Sequence, residues 1–274
     1  LMYANCGKQR RLSRVLSRYK GKLFFCPIDD SLLCGPQGRL LNLRSLLAAF
    51  SKLRPSAIVG YEAPLRHFSG LIDEIPYFLN ATASIFGPNH VRKVQVASAR
   101  HALSLGADGL AGHFNLSSMY DREMIEMIGR LSDECREYQL PFLVMAYLRR
   151  EGTDGDDNYY SMAETQPDQY AKMVAHAVRI AVELGADIVK TNYIGPAEYF
   201  EVILEAACDV PLILAGGPLE RDNDAVTTRI SSALNKGVSG IAFGRNLYLR
   251  ENMEQLYRSI EDLLISTPHI ESAQ

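Results

Sequence analysis

Residues 184–191 read LGADIVKT, and the reading of that octet decides the fold. The stretch before it, DQYAKMVAHAVRIAVEL, repeats apolar residues at i, i+3, i+4 and i+7, the stripe of an amphipathic helix. Gly185 then supplies the left-handed conformation at which a helix stops, and Asp187–Thr191 continues as a short apolar strand. The same order recurs at Leu105-Gly106-Ala107-Asp108 and at Lys236-Gly237-Val238-Ser239. Outward from these points the chain holds eight short apolar runs: Lys22–Ile28, Ser56–Gly60, Pro76–Thr82, Asp108–Phe114, Pro141–Tyr147, Asp187–Thr191, Pro211–Ala215 and Gly240–Phe243. They are nearly continuous rather than alternating, as parallel strands covered on both faces are. Amphipathic stretches lie between them, LNLRSLLAAFSKL, REMIEMIGRLSDECREYQL, AVTTRISSALNKG and NMEQLYRSIEDLL among them. Strand–helix units joined by right-handed crossovers predict an α/β chain folded as a single (β/α)8 TIM barrel over residues 1–274. The alternative, a doubly wound sheet, wants a glycine-rich dinucleotide turn after its first strand, and PIDDSLLCGP is not G-x-G-x-x-G.

Composition narrows the class. Of 274 residues 47% are hydrophobic and 22% charged, enough to bury a large core and far from a disordered, collagenous or coiled-coil chain. No charge-free apolar run approaches the ~18 residues of a membrane span. Lys and Arg number 29 against 32 Asp and Glu, a net charge of −3, which argues against a nucleic-acid surface and leaves room for a local anion pocket. The five cysteines are scattered and form no CxxC pair, which points to the reducing cytoplasm and to neither a disulfide framework nor structural zinc. A basic lead-in, residues 1–21, contains GKQRRLSRVLSRYKGK and has the composition of a transit peptide. It runs straight into the first apolar run, so it is expected to belong to the fold. The longest gap between strands, around residues 148–167, is acidic and turn-rich and follows a strand C-terminus. It reads either as a solvated loop or as a lid.

In a barrel of this kind the reactive groups sit at strand C-termini. Lys190 lies inside the sixth run, on the same face as Ile188. A buried ammonium is expensive unless paired or neutral, and desolvation lowers its pKa and frees the amine to attack a carbonyl, giving a Schiff base and an enamine. The other reading of Lys190 is a paired lysine that clamps an anion. Tyr147 ends the fifth run and is a candidate proton donor and acceptor, or a rim aromatic. Asp29 and Asp30 end the first run; alternation sends them to opposite faces, and Asp29, in phase with Phe25 and Pro27, is the one expected to face the barrel. Gly216, Gly217, Gly244 and Arg245 follow the seventh and eighth runs, where backbone N–H groups, helix N-termini and an arginine suit a phosphate. Asp30, His113 and Asn192 are further lining candidates, His113 alternatively a satisfied barrel histidine. The histidines have neither H-x-H nor HExxH spacing, so no metal is expected.

Seven motifs occur in order: GKxxRLxR (Gly7, Lys8, Arg11, Leu12, Arg14), PIDD-x(4)-GP from Pro27 to Pro36, H-x-N at His113–Asn115, M-x-Y-x-R from Met145 to Arg149, GADIVKTNY from Gly185 to Tyr193, AGGP at Ala215–Pro218 and GRN at Gly244–Asn246. Together they resemble the archaeal-type class I fructose-bisphosphate aldolases and the related 2-amino-3,7-dideoxy-threo-hept-6-ulosonate synthases. The resemblance implies a Schiff-base lysine at Lys190, an acid/base tyrosine at Tyr147, an aspartate beside the imine at Asp29, and phosphate loops at Gly216, Gly217, Gly244 and Arg245. It implies a phosphorylated ketose of dihydroxyacetone phosphate type and an aldehyde as substrates, no metal and no other cofactor, and often a homo-oligomer. The family commonly has Asp-His-Gly where this chain has Asp29-Asp30-Ser31, and Tyr-Pro-Arg-Gly where it has Tyr147-Leu148-Arg149-Arg150. Both changes leave imine chemistry intact and bear on the acceptor. A biosynthetic addition to an aldehyde like aspartate semialdehyde therefore stands beside cleavage of fructose bisphosphate.

Three other readings share the barrel. A sugar-phosphate isomerase would use Asp29 with another loop acid and keep Lys190 as an anion clamp. A lysine-dependent acyl or ketol transferase would act on a phosphorylated diketone. A non-catalytic or flavin-binding barrel would reuse the phosphate loops.

Overall fold

Eight parallel strands close on themselves in the computed structural model, which describes residues 6–85, 90–149 and 160–267. They are β1 (Leu23–Pro27), β2 (Ala57–Gly60), β3 (Tyr77–Asn80), β4 (Gly109–Leu116), β5 (Phe142–Leu148), β6 (Ile188–Thr191), β7 (Leu212–Ala215) and β8 (Gly240–Ala242). Each pairs with its sequence neighbours, and the ring shuts where β1 meets β8, Leu23 opposite Gly240 and Phe25 opposite Ala242. The expected (β/α)8 barrel is the fold.

Alternation sorts the side chains. Leu23, Phe25, Ala57, Val59, Phe78, Ala111, Leu143, Ile188, Ile213 and Ala242 fill the barrel interior. The intervening residues, such as Phe24, Cys26, Ile58 and Ile241, pack outward against the helices. Small residues face large ones: a Cβ added at Gly109 would run into the Phe78 ring. Both faces of the strands are thus buried over most of their length, which is why the runs carried no polar alternation.

The helices start and stop where the sequence indicates. Asp121–Glu137, Pro167–Glu183, Asn223–Asn235 and Met253–Ser266 are the long ones. Gly106 and Gly185 adopt φ of +78° and +90° at helix ends, as the glycine stops require. The basic lead-in forms the helix Cys6–Leu16, whose Val15 joins the interior cluster with Leu12 and Leu16 packed beside it. It closes the N-terminal end of the barrel, with Lys8 Nζ 2.8 Å from Asp187 and Arg14 paired to Asp108.

The third run ends earlier than its predicted limit at Thr82. The Asn80 side-chain oxygen accepts from both the N–H and the hydroxyl of Thr82 at 3.0 Å, turning the chain out of the barrel. Thr82–Ala83 then pairs antiparallel with Val94–Gln95 as a separate ribbon. Of the segment 148–167, Leu148 ends β5 and Tyr160–Thr165 is helical, while 150–159, with most of the expected loop or lid, lies outside the described residues. Among the described residues no helix is long and apolar enough to cross a membrane.

Candidate active site

The strands' C-terminal ends surround a cavity of about 520 Å3, the size of a small-molecule site. Lys190 projects into it from β6, in register with Met145 of β5 and Ile213 of β7. It is 8% exposed; its Nζ lies 3.8 Å from Met145 Sδ and 6.0 Å from the centre of the Tyr147 ring. Burial pulls its pKa down, but Tyr147, Asp29 and Asp30 outweigh burial and leave it above the ordinary lysine value. This corrects the expectation of a neutral amine. A lysine lowered by desolvation needs a shell without nearby acids, and here Tyr147, Asp29 and Asp30 oppose the burial.

Tyr147 extends from β5 into the same cavity and is also 8% exposed. Burial raises its phenol pKa against the opposing pull of Lys190, so the group is a proton donor at neutral pH. The His113 ring from β4 meets it edge-on, with centroids 4.8 Å apart. His113 Nε2 lies 3.0 Å from Asn115 Oδ1. Its pKa is held well below the usual range by burial and by the charges of Lys93, Arg149 and Lys190, so the imidazole is neutral.

Asp29 follows β1, and its Oδ2 accepts a 2.7 Å hydrogen bond from Asn80 Nδ2. Burial raises its carboxyl pKa and Asp30 adds to that, against Lys190 and Asn80. Asp30 does not turn to the opposite face. Asp29 already has helical φ and ψ of −86° and −6°, and Asp30 begins the helix Asp30–Cys34, so strand alternation has ended and both carboxylates line the cavity. Asp30 accepts a hydrogen bond from Tyr248 and lies 3.8 Å from Arg245 Nε.

The two glycine loops face one another at the ends of β7 and β8. Gly216, Gly217, Gly244 and Arg245 all border the cavity. Gly216 gives its N–H to Ala242 at 3.1 Å, so what it offers an anion is space, not a donor; a Cβ there would sit 2.7 Å from the Phe243 ring. Gly217 has φ of +68°, which turns the chain back over the barrel end. Asn246, buried, clips the loops together: its Nδ2 donates to Gly216 O at 2.9 Å and Pro218 O at 2.8 Å, and its Oδ1 accepts from Glu220 N. The helix after Gly244 spans Arg245–Tyr248, four residues, a shorter element than the expected helix-end charge supposes. Asn192 also borders the cavity, with Nδ2 3.5 Å from Tyr170 Oη.

Several wall residues escape sequence reasoning. Asn80 carries no motif. Lys93 and His90 arrive on the turn between the two short ribbon strands, and Ser84 accepts a 2.6 Å hydrogen bond from Lys93. Arg149 was visible only as the last letter of M-x-Y-x-R. Among the described residues no group of three or more His, Cys, Asp or Glu side chains is placed to hold a metal ion.

Residues 26–250 match the family described as "DeoC/LacD family aldolase". The chain is 31% identical over 256 residues to a Streptomyces griseus protein named 2-amino-4,5-dihydroxy-6-oxo-7-(phosphonooxy)heptanoate synthase, covering 93% of this chain and 89% of the relative. It is 28% identical over 273 residues to 2-amino-3,7-dideoxy-D-threo-hept-6-ulosonate synthase 1 of Archaeoglobus fulgidus, covering 98% and 95%. Among solved structures, a Schiff base forming fructose-1,6-bisphosphate aldolase aligns with a TM-score of 0.80 at 23% identity, over 94% of this chain and 99% of that one, a likeness of fold.

Proposed function

The chain belongs to the DeoC/LacD aldolase family, and from that premise we propose that it makes or breaks a carbon–carbon bond through an imine on Lys190. The substrates are a phosphorylated ketose of dihydroxyacetone phosphate type and an aldehyde. The observation that carries the reading is the buried amine itself: Lys190 stands in the barrel wall with Tyr147, Asp29 and both glycine loops on one cavity.

The resting ammonium must first give up its proton, for which the carboxylate of Asp29 is a suitable acceptor. The neutral amine adds to the ketone carbon, its lone pair forming the C–N bond as the carbonyl π pair moves to oxygen. Protonation of the resulting carbinolamine by the Asp29 carboxyl expels water and leaves the iminium. The Asp29 carboxylate, left by that step, takes the adjacent C–H proton to give the enamine, and the enamine carbon attacks the aldehyde. The new alkoxide takes its proton from the Tyr147 phenol, whose raised pKa keeps that proton available. Water then returns the ketone and the free lysine. In the cleavage direction each step reverses, and Tyr147 accepts the proton instead. The donor phosphate docks on Gly217, Gly244 and Arg245, with Gly216 providing clearance. Imine chemistry of this kind needs no metal.

The biosynthetic direction stands at least level with glycolytic cleavage: Asp30, which departs from the family pattern, borders the cavity, while Leu148 departs from it within the buried core. The Streptomyces griseus relative's name also describes an amino acid chain bearing a terminal phosphate. An acceptor resembling aspartate semialdehyde is consistent with both. Borohydride added with dihydroxyacetone phosphate is expected to fix the donor's mass on the peptide containing Lys190. Lys190→Met protein should take up no mass and lose turnover; full turnover in that variant would end the proposal. An isomerase using Lys190 as an anion clamp would leave nothing to reduce.

A further inference from the structure

Asn80 ends β3 at the cavity wall, 3% exposed, and both polar atoms of its amide are engaged. Its Oδ1 accepts from the Thr82 N–H and from the Thr82 hydroxyl, each at 3.0 Å. Thr82 Oγ1 in turn accepts from the His113 N–H at 3.0 Å, which ties this turn to β4. Two donors on the oxygen settle which way the amide points, because the flipped form would set its NH2 against an N–H. Nδ2 is therefore the atom that meets Asp29 Oδ2 at 2.7 Å.

An amide nitrogen can only donate. It favours the charged carboxylate and pulls the Asp29 pKa down, against burial and Asp30. It also makes the two oxygens of Asp29 unequal. In a carboxylic acid the carbonyl oxygen is the better acceptor, so the proton belongs on Oδ1 while Oδ2 stays with Asn80. The steps above ask Asp29 to take a proton from Lys190, to give one to the carbinolamine and to take one from the adjacent C–H. A carboxyl free to turn would have to be repositioned at each event, whereas one held at Oδ2 presents the same oxygen throughout.

We propose that Asn80 is a positioning residue of the donor half-reaction: by holding Asp29 Oδ2 it keeps the carboxylate in place and reserves Oδ1 for all three proton transfers. This rests on the aldolase reading above and adds to it the group that orients its acid and base. Asn80 acts through Asp29 and not on the substrate. Among the described residues, the other titratable groups that face Asp29 are Lys190 from β6, Asp30 beside it, and the phenols of Tyr61, Tyr77, Tyr147 and Tyr248. Burial raises all four phenols, so they stay neutral at acid pH. Lys190 and Asp30 are unchanged in the variants below, so their influence is common to every protein compared.

The test offers dihydroxyacetone phosphate to the intact chain in heavy water, with no aldehyde. Each passage to the enamine sends the C–H electron pair into the C=C bond and the proton to Asp29; return from solvent leaves a deuterium, read by mass spectrometry. At saturating donor Lys190 is already held in the imine, so the acid limb of the exchange rate reports Asp29 losing its power as a base. Rates are expressed per lysine that borohydride fixes, so inactive molecules drop out. In Asn80→Ala and in Asn80→Asp the acid limb should move to higher pH by about one unit or more, the worth of a charge-assisted hydrogen bond. Exchange at neutral pH should fall about 10-fold or more as the carboxylate loses its fixed position. Asn80→Asp keeps the oxygen that Thr82 uses and removes only the donor toward Asp29, so it decides the matter even if losing the Thr82 turn unfolds Asn80→Ala. A limb at the same pH as in the unmodified protein would overturn the proposal, with or without slower exchange, because slower exchange alone is what a merely structural asparagine gives. Unmodified protein that neither exchanges nor takes the borohydride label would instead remove the aldolase reading, and the label tells the two failures apart.

Discussion

Lys190 concentrates the chemistry in one side chain. Its folded pKa lies above the ordinary value, because Tyr147, Asp29 and Asp30 outweigh burial. The reactive form is the neutral amine, whose share grows about tenfold for each pH unit below the pKa. Donor kcat/KM should therefore rise with pH through the neutral and alkaline range. Removing one anion beside an ammonium lowers its pKa, so in Asp29→Asn the alkaline limb should move to lower pH, while kcat falls about 100-fold for want of the carboxyl that dehydrates the carbinolamine. A lower rate with an unmoved limb would mean that Asp29 does not act on Lys190, and a pH–rate series on both proteins decides it. Lys190 was legible because an ammonium inside an apolar run is an anomaly that sequence displays directly. Asn80 was not, because its tie to Asp29 spans 51 residues and follows from the parallel packing of β1, β2 and β3. Lys93 was hidden for another reason: ribbon strands of two residues carry no periodicity to read.

The strand–helix units were legible through their punctuation, and the same punctuation predicts where they break. Gly185 has φ of +90°, and a Cβ there would lie 2.7 Å from Ser132 Oγ. Gly106 has φ of +78° with open space around it. Gly106→Ala should cost about 1 kcal/mol from the left-handed backbone alone, and Gly185→Ala about 1–2 kcal/mol or more once the Ser132 contact is added. Urea unfolding separates them, and both should keep kcat within a factor of about two because the helix ends lie at the barrel's other end. The acid after that glycine has a role that the pattern did not reveal. Asp187 accepts from Phe142 N–H at 2.8 Å and binds Lys8 of the N-terminal helix at 2.8 Å, so it joins β5 to the helix that closes the barrel floor. Asp187→Ala strands that N–H and should lower stability by about 1–3 kcal/mol. Lys8→Ala removes only a part-exposed ion pair and should cost about 1 kcal/mol or less. If both cost the same, the Phe142 bond is irrelevant to the fold.

Closure is the property that strand counting alone could not deliver. Eight runs fit an open sheet as well as a ring until Leu23 is found opposite Gly240, a pairing between the two ends of the strand series. Once closed, the ring leaves no strand edge among its members, and it brings Asp30 after β1 against Tyr248 and Arg245 after β8. The candidate site is therefore assembled from strands that are far apart in sequence and held by one hydrogen-bonded ring. An anion docked on the β7 and β8 loops must then stabilise the ring as a whole rather than a local loop. Glycerol 3-phosphate tests this, since it keeps the donor's phosphate and lacks the carbonyl that Lys190 would attack. At one hundred times its dissociation constant it should add about 2.7 kcal/mol to unfolding, which for a chain of this size raises Tm by roughly 5–10 °C. Arg245→Ala should lose most of that rise at the same ligand concentration, because its guanidinium is a charged donor bordering the cavity directly after Gly244. The rise should appear as a displacement of the main transition in calorimetry. An equal rise in the Arg245→Ala protein would place the anion away from β8, and a minor early transition shifting alone would show that the phosphate loops unfold separately from the barrel.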